Sequence, residues 1–145
     1  RNIVVVNVQS LRMLMAHGFL KRIFDVFDRY QTPVDMVTTS EVSVSLTIDN
    51  TTHLDEICAD LRKIAEVSVD DTSSLICLVG DNIRETAGLG ARVFGALRSI
   101  NVRMIAQGAS LLNLSVVVAD VDLKAAVEAL HAEFFSTLDE EVFEA

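Results

Sequence analysis

The chain has no tryptophan, a single proline and a single tyrosine among 145 residues, and only two cysteines. Cys58 and Cys77 form no CxxC pair and lie near no Cys/His cluster, which argues against a disulfide framework or a thiolate metal centre. They read as small core residues of a reduced, cytosolic-type protein. The three histidines, His17, His53 and His131, are scattered and read as surface or interface residues, so no metal is expected. No apolar run approaches the ~18 residues that a membrane span requires. Basic side chains are scarce too. Twelve against 21 acidic residues leave a net charge of −9, which repels a nucleic-acid backbone. The chain opens at Arg1-Asn2 and runs straight into IVVVNV, without a secretory signal. The lack of an initiator Met marks it as an expected piece of a longer, cytoplasmic protein.

What the chain has is apolar patterning and an internal repeat. Half of the residues are hydrophobic, enough for a core. GFLKRIFDVF (18–27) matches GLGARVFGAL (88–97), with Gly18/Gly88, Arg22/Arg92 and Phe24/Phe94 identical. VDMV (34–37) then matches VRMI (102–105), and VSVS (42–45) matches LNLS (112–115). A unit of this length is too long for a solenoid and reads as a duplicated small domain. Two domains are therefore expected, 1–72 and 73–145.

Each unit carries the same order of elements. IVVVNV (3–8) is a β-branched strand. Leu20, Ile23, Phe24 and Phe27 mark one face of a helix, and Pro33 turns the chain into a strand at 34–39. In 42–48, Val42, Val44, Leu46 and Ile48 alternate with Ser43, Ser45 and Thr47. Thr52 and Asp55 resemble an N-capping pair for a helix striped by Leu54, Ile57, Cys58, Leu61 and Ile64, and 66–70 closes the unit as a strand. The second unit repeats this with strands 75–79, 102–106 and 113–118 and helices 88–99 and 122–135. The pattern is βαββαβ twice: an α+β, ferredoxin-like arrangement with antiparallel sheets and helices on one face. After Phe135 only STLDEEVFEA remains, so the last strand of the second unit is expected from elsewhere.

That fold hosts many functions, and the residues must choose among them. RNA recognition on such a sheet needs aromatic platforms, and the strands IVVVNV, VSVSLTI, LICLV and LSVVVA have none. A dinucleotide fingerprint fails because its third glycine would fall on Val93. No Walker A loop, nucleophile elbow or pair of catalytic carboxylates is present, so neither catalytic residues nor a cofactor are expected. What remains is the loop SLRMLMAHGFL (10–20) that enters a helix near Gly18. The first N–H groups of a helix lack internal partners and lie at the positive end of its dipole. The amides of Phe19 and Leu20 would hold a carboxylate there, with Gly18 permitting close approach. Asp35 opens the next strand and would receive an ammonium group, and the pair describes an amino-acid site. The same spacing also fits a turn glycine and a solvated strand-end acid.

SLRMLMAHGFLKRIFDVF followed by VDMVTTSEVSVSLTID resembles the regulatory region of aspartokinases of the lysine-sensitive type, and VRMIAQGASLLNLSVVVA resembles its second half. The likeness runs to about Phe135. It implies tandem ACT domains that bind an amino acid and control an N-terminal kinase domain, with no reaction carried out by this chain. It also implies an inhibitor pocket in the first unit, where two such units meet in a homodimer. The matching positions are Met13, Gly18, Phe19, Leu20, Val34 and Asp35, with Thr39, Ser40 and Glu41 at the pocket wall or dimer contact. By the same resemblance Asp35 attracts the ammonium of L-lysine. The sequence departs from lysine-sensitive relatives at Met15 and Ala16, and from many aspartokinases at Leu111. The second unit, with Gly88, Gln107 and Asn113 at corresponding positions, is expected to be structural. A ligand-independent dimerisation module, or a sensor of another amino acid such as threonine, fits the same chain.

Overall fold

The computed structural model describes residues 2–10, 17–40, 42–80, 87–107, 113–135 and 143–144. The chain divides into two compact units, one spanning Asn2–Thr72 and the other beginning at Ser73.

The first unit runs β1 (Asn2–Gln9), α1 (Phe19–Arg29), β2 (Met36–Thr39), β3 (Ser43–Ile48), α2 (Leu54–Leu61) and into β4 (Glu66–Gly80). β3 pairs antiparallel with β1, placing Val8 opposite Val44 and Val4 opposite Ile48. On its other edge β3 pairs antiparallel with β2, from Met36 opposite Thr47 to Thr39 opposite Val44. The strand order is β2-β3-β1-β4. Alternation sends Val44, Leu46 and Ile48 to one face, where they join Val6 and Val8 against Ile23 and Phe27 of α1 and Ile57 and Leu61 of α2. Each such side chain contributes about 1.5–3 kcal/mol when removed from water.

Two local expectations are corrected. The buried stripe of α1 is Phe19, Ile23, Val26 and Phe27, while Leu20 and Phe24 stand more than a third exposed. Phe19 and Val26 lie on the same helical face as Ile23 and Phe27, so the stripe turns away from the 20/24 edge. Thr52 and Asp55 do not cap α2: its N-cap is His53, and the ring nitrogen of His53 bonds Glu56 instead at 3.0 Å.

The second unit continues from β4 through α3 (Leu89–Ala96), β5 (Val102–Ala106), β6 (Asn113–Ala119), a 3-10 turn at Asp120–Asp122, α4 (Leu123–Phe135) and β7 (Phe143–Glu144). β6 pairs antiparallel with both β4 and β5. β7 pairs antiparallel with the end of β4, Glu144 opposite Val79 and Phe143 opposite Gly80. The order β7-β4-β6-β5 repeats the first unit's arrangement, so the chain's own tail supplies a two-residue piece of the strand expected from elsewhere. Leu78, Leu114, Val116 and Val118 form the core with Leu89 and Val93 of α3 and Leu130 and Phe134 of α4. The fold is α+β, two ferredoxin-like βαββαβ units.

β4 also differs from expectation. Instead of separate strands at 66–70 and 75–79, one strand runs from Glu66 to Gly80. Ser73 and Ser74 sit in it fully buried, and both hydroxyls have partners. Ser73 Oγ accepts from Arg103 Nη1 at 2.7 Å, and Ser74 Oγ donates to Asp120 Oδ1 at 2.5 Å. Such bonds offset the desolvation of the hydroxyls and let a polar stretch stay extended.

Candidate ligand site

Gly18 is the N-cap of α1 and lies in the left-handed region at φ 82, ψ 10. Among the described residues nothing lies within 4 Å of the position a Cβ would take, and the left-handed backbone by itself favours glycine here. The first helical bond runs from Arg22 N–H to the Gly18 carbonyl at 3.1 Å, which leaves the amides of Phe19, Leu20 and Lys21 ahead of the helical ladder. Among the described residues no side chain caps this terminus, and no acidic residue lies in the first turn. α2 is the contrast, with Asp55 and Glu56 in its first turn. The N-terminus of α1 is thus electrostatically open to an anion such as a carboxylate. Gly88 repeats the geometry at φ 80, ψ 0 ahead of α3, again with no side-chain cap among the described residues and no acid in the first turn.

The remaining predicted residues separate into two places. Phe19 is a core side chain that offers only its backbone, and Leu20 is exposed. β1 ends at Gln9 opposite Ser43, and Thr39 lies opposite Val44. The exit of β1, from which the loop to Gly18 departs, and the 39–40 corner therefore share one end of the sheet. At that corner the Ser40 N–H donates to the Ser43 carbonyl at 2.8 Å, and the two hydroxyls meet at 2.6 Å. Val34 and Asp35 stand at the other end, where α1 finishes. Val34 packs against the core, and the Asp35 N–H donates to the Thr47 carbonyl at 2.8 Å. Asp35 and Thr39 are separated by the length of β2, about 13 Å. Gly18 and Asp35 are separated by the length of α1, about 16 Å. The expected side-by-side carboxylate and ammonium acceptors are not brought together within one copy of the chain. Met13 and Glu41, with Met15, Ala16 and Leu111, lie outside the described residues. Gln107 is exposed just after β5, and Asn113 opens β6 opposite Val79.

Sequence reasoning passed over a charged cluster at the C-terminal end of α1. The carboxylate of Asp60, 14% exposed, accepts from the Tyr30 hydroxyl at 2.8 Å, from Arg29 Nη1 at 2.7 Å and from Lys63 Nζ at 3.3 Å. The Tyr30 bond, aided by Lys63 and Arg29 against partial desolvation, holds the Asp60 carboxyl below its ordinary value. Only the three-dimensional approach of α1 to α2 could reveal it, since the partners are 30 or 31 residues apart.

Comparison with known proteins fits this architecture. Residues 76–134 match the ACT domain family. A solved chain assigned as the C-terminal regulatory domain of an aspartate kinase from Porphyromonas gingivalis is 43% identical, with 92% of each chain covered and a TM-score of 0.83. The chain belongs to the ACT-containing regulatory regions of aspartate kinases. Chloroplastic aspartokinase 2 of Arabidopsis thaliana is 39% identical across 94% of this aspartokinase regulatory region. The lysine-sensitive aspartokinase 3 of Escherichia coli is 37% identical across 93% of it. The structure of that enzyme in complex with lysine and aspartate, its T-state, superposes with a TM-score of 0.83. The regulatory region spans 27% and 32% of the lengths of these two relatives.

Proposed function

We propose that this chain is the effector-sensing part of a larger aspartate kinase. It binds the end-product amino acid, L-lysine, and its occupancy restrains aspartate phosphorylation by a kinase domain outside the chain. The observation that carries this reading is the uncapped, acid-free N-terminus of α1 behind a left-handed Gly18, in a chain 37% identical to a lysine-sensitive aspartokinase.

The effector carboxylate rests on the amides of Phe19 and Leu20, beside Met13. Its side-chain ammonium is received at Val34 and Asp35, and Thr39, Ser40 and Glu41 form the wall. Because Gly18 and Asp35 lie at opposite ends of α1, a single amino acid cannot reach both in one copy. Two copies paired through their first units supply one end each. The exposed apolar side chains of Leu20 and Phe24 on α1 and Val37 on the edge strand β2 give that pairing a surface. Lysine then favours the paired arrangement in which it makes most contacts, and a ~100-fold inhibition requires ~2.7 kcal/mol of coupling.

Calorimetric titration of the chain with lysine, threonine and methionine, alongside its sedimentation, tests this. Saturable lysine binding by a dimer, lost in Asp35→Ala without loss of fold, is the expected result. Binding of threonine or methionine instead would reassign the effector. A concentration-dependent dimer indifferent to all three would make the region a ligand-independent dimerisation module.

A further inference from the structure

One residue joins the β2–β3 corner to the exit of β1. Ser43, the first residue of β3, pairs across the sheet with Gln9, the last residue of β1. Next to them the Ser10 N–H donates to the Val42 carbonyl at 2.8 Å. On its other side Ser43 closes the hairpin. Its carbonyl accepts from the Ser40 N–H at 2.8 Å, and the two hydroxyls lie 2.6 Å apart. Among the described residues, no other group bonds the Ser40 hydroxyl.

Ser40 is exposed and Ser43 is half-buried on a strand paired along both edges. An exposed serine hydroxyl without a partner turns among its staggered rotamers. A ligand that uses such a group must first stop that motion, which weakens binding. The bond to Ser43 holds the Ser40 hydroxyl before any ligand arrives. The main-chain bond already closes the hairpin, so the hydroxyl bond is additional to what the turn requires. Ser45 offers a contrast on the same face of β3. Its hydroxyl donates to Asn7 Oδ1 at 2.6 Å, which ties β3 to β1 and reaches no residue of the proposed site.

Resting on the effector reading given above, we infer that Ser43 is a positioning residue of that site. Its hydroxyl fixes the Ser40 hydroxyl in the orientation in which the pocket wall meets the amino acid. Ser43 touches no ligand itself and acts through Ser40.

The test is calorimetric titration of the 145-residue chain with L-lysine, with a thermal melt of each variant. Ser43→Ala should weaken lysine binding about three- to tenfold, the size of one hydrogen bond. Ser43→Thr should restore it. Ser45→Ala should leave it unchanged, although that variant loses a hydroxyl bond of the same length. In a Ser40→Ala background, Ser43→Ala should cost nothing further, because the two residues act as one. Ser43→Cys keeps the volume with a weaker hydrogen-bonding group and makes the same comparison if Ser43→Ala does not fold. Unchanged lysine affinity in the folded Ser43 variants would overturn the inference and leave the effector reading standing. Equal losses in Ser43→Ala and Ser45→Ala, or a full further loss in the Ser40→Ala background, would do the same. A wild-type chain that binds no lysine would remove the effector reading and this inference with it.

Discussion

The Tyr30 hydroxyl donates to Asp60 Oδ2 at 2.8 Å and so ties the C-terminal cap of α1 to the last turn of α2. This bond is the largest influence on both partners. It lowers the Asp60 carboxyl from 3.8 and raises the Tyr30 phenol from 10.0. A depressed carboxylate stabilises the fold above its unfolded value and loses that contribution as the pH falls through the folded one. A raised phenol stabilises below 10.0 and loses its contribution as the pH climbs through its folded value. Tyr30→Phe should therefore melt below the wild type at neutral pH. The gap should narrow in acid below 3.8 and in alkali above 10.0. A pH series of thermal melts decides it, and a gap independent of pH would leave the bond without a role.

Thr47 is fully buried and uses both ends. Its carbonyl accepts from the Asp35 N–H at 2.8 Å and its hydroxyl from the Met36 N–H at 2.9 Å. Thr47→Val keeps the shape but orphans the Met36 amide, at a cost of about 1–3 kcal/mol. Thr47→Ser should retain most of the stability. Urea denaturation of the two variants reports the difference, and a neutral Thr47→Val would show that water replaces the hydroxyl.

Gly18→Ala and Gly88→Ala form a matched pair. Each puts a side chain at a left-handed φ, 82 and 80, with no described residue crowding it. Each should destabilise its unit by about 1–2 kcal/mol. Only Gly18→Ala should also weaken lysine binding. Equal loss of binding in the two variants would contradict the assignment of the effector to the first unit.

The thiols provide a probe of packing. Cys58 is 4% exposed, and burial pushes its thiol above 9.0, whereas Cys77 is half-buried. With a disulfide reagent at pH 8, Cys77 should react in the native chain and Cys58 only after denaturation. Rapid reaction of both would indicate frequent opening of α2.

Much of the fold was readable from local pattern. The alternation of Val44, Leu46 and Ile48 and the repeat around Gly18 and Gly88 describe geometry that neighbouring residues set among themselves. The failures involve distant partners. Residues 71–74 fall outside both expected strands because a short window cannot contain Arg103 or Asp120, which satisfy the buried serines from 30 and 46 residues away. The stripe of α1 was misplaced because Leu20 and Phe24 are as apolar as Phe19 and Val26, and only docking on the sheet tells the two edges apart. For the site, the open helix terminus at Gly18 was legible because it depends on a few consecutive residues. Asp35 is expected beside it because it opens the next strand, and within one copy α1 lies between the two.

The Ser40–Ser43 corner bears on the order of events in time. β2 and β3 meet across a handful of residues, whereas β3 must recruit β1 from 34 or more positions upstream. Loop-closure entropy makes the short hairpin the early contact and the β1 pairing the late one. The corner forms before the strand whose exit leads to the helix terminus, so no partly folded chain presents both. An effector held by both would enter after the folding barrier, and its stabilisation would appear as slower unfolding with an unchanged folding rate.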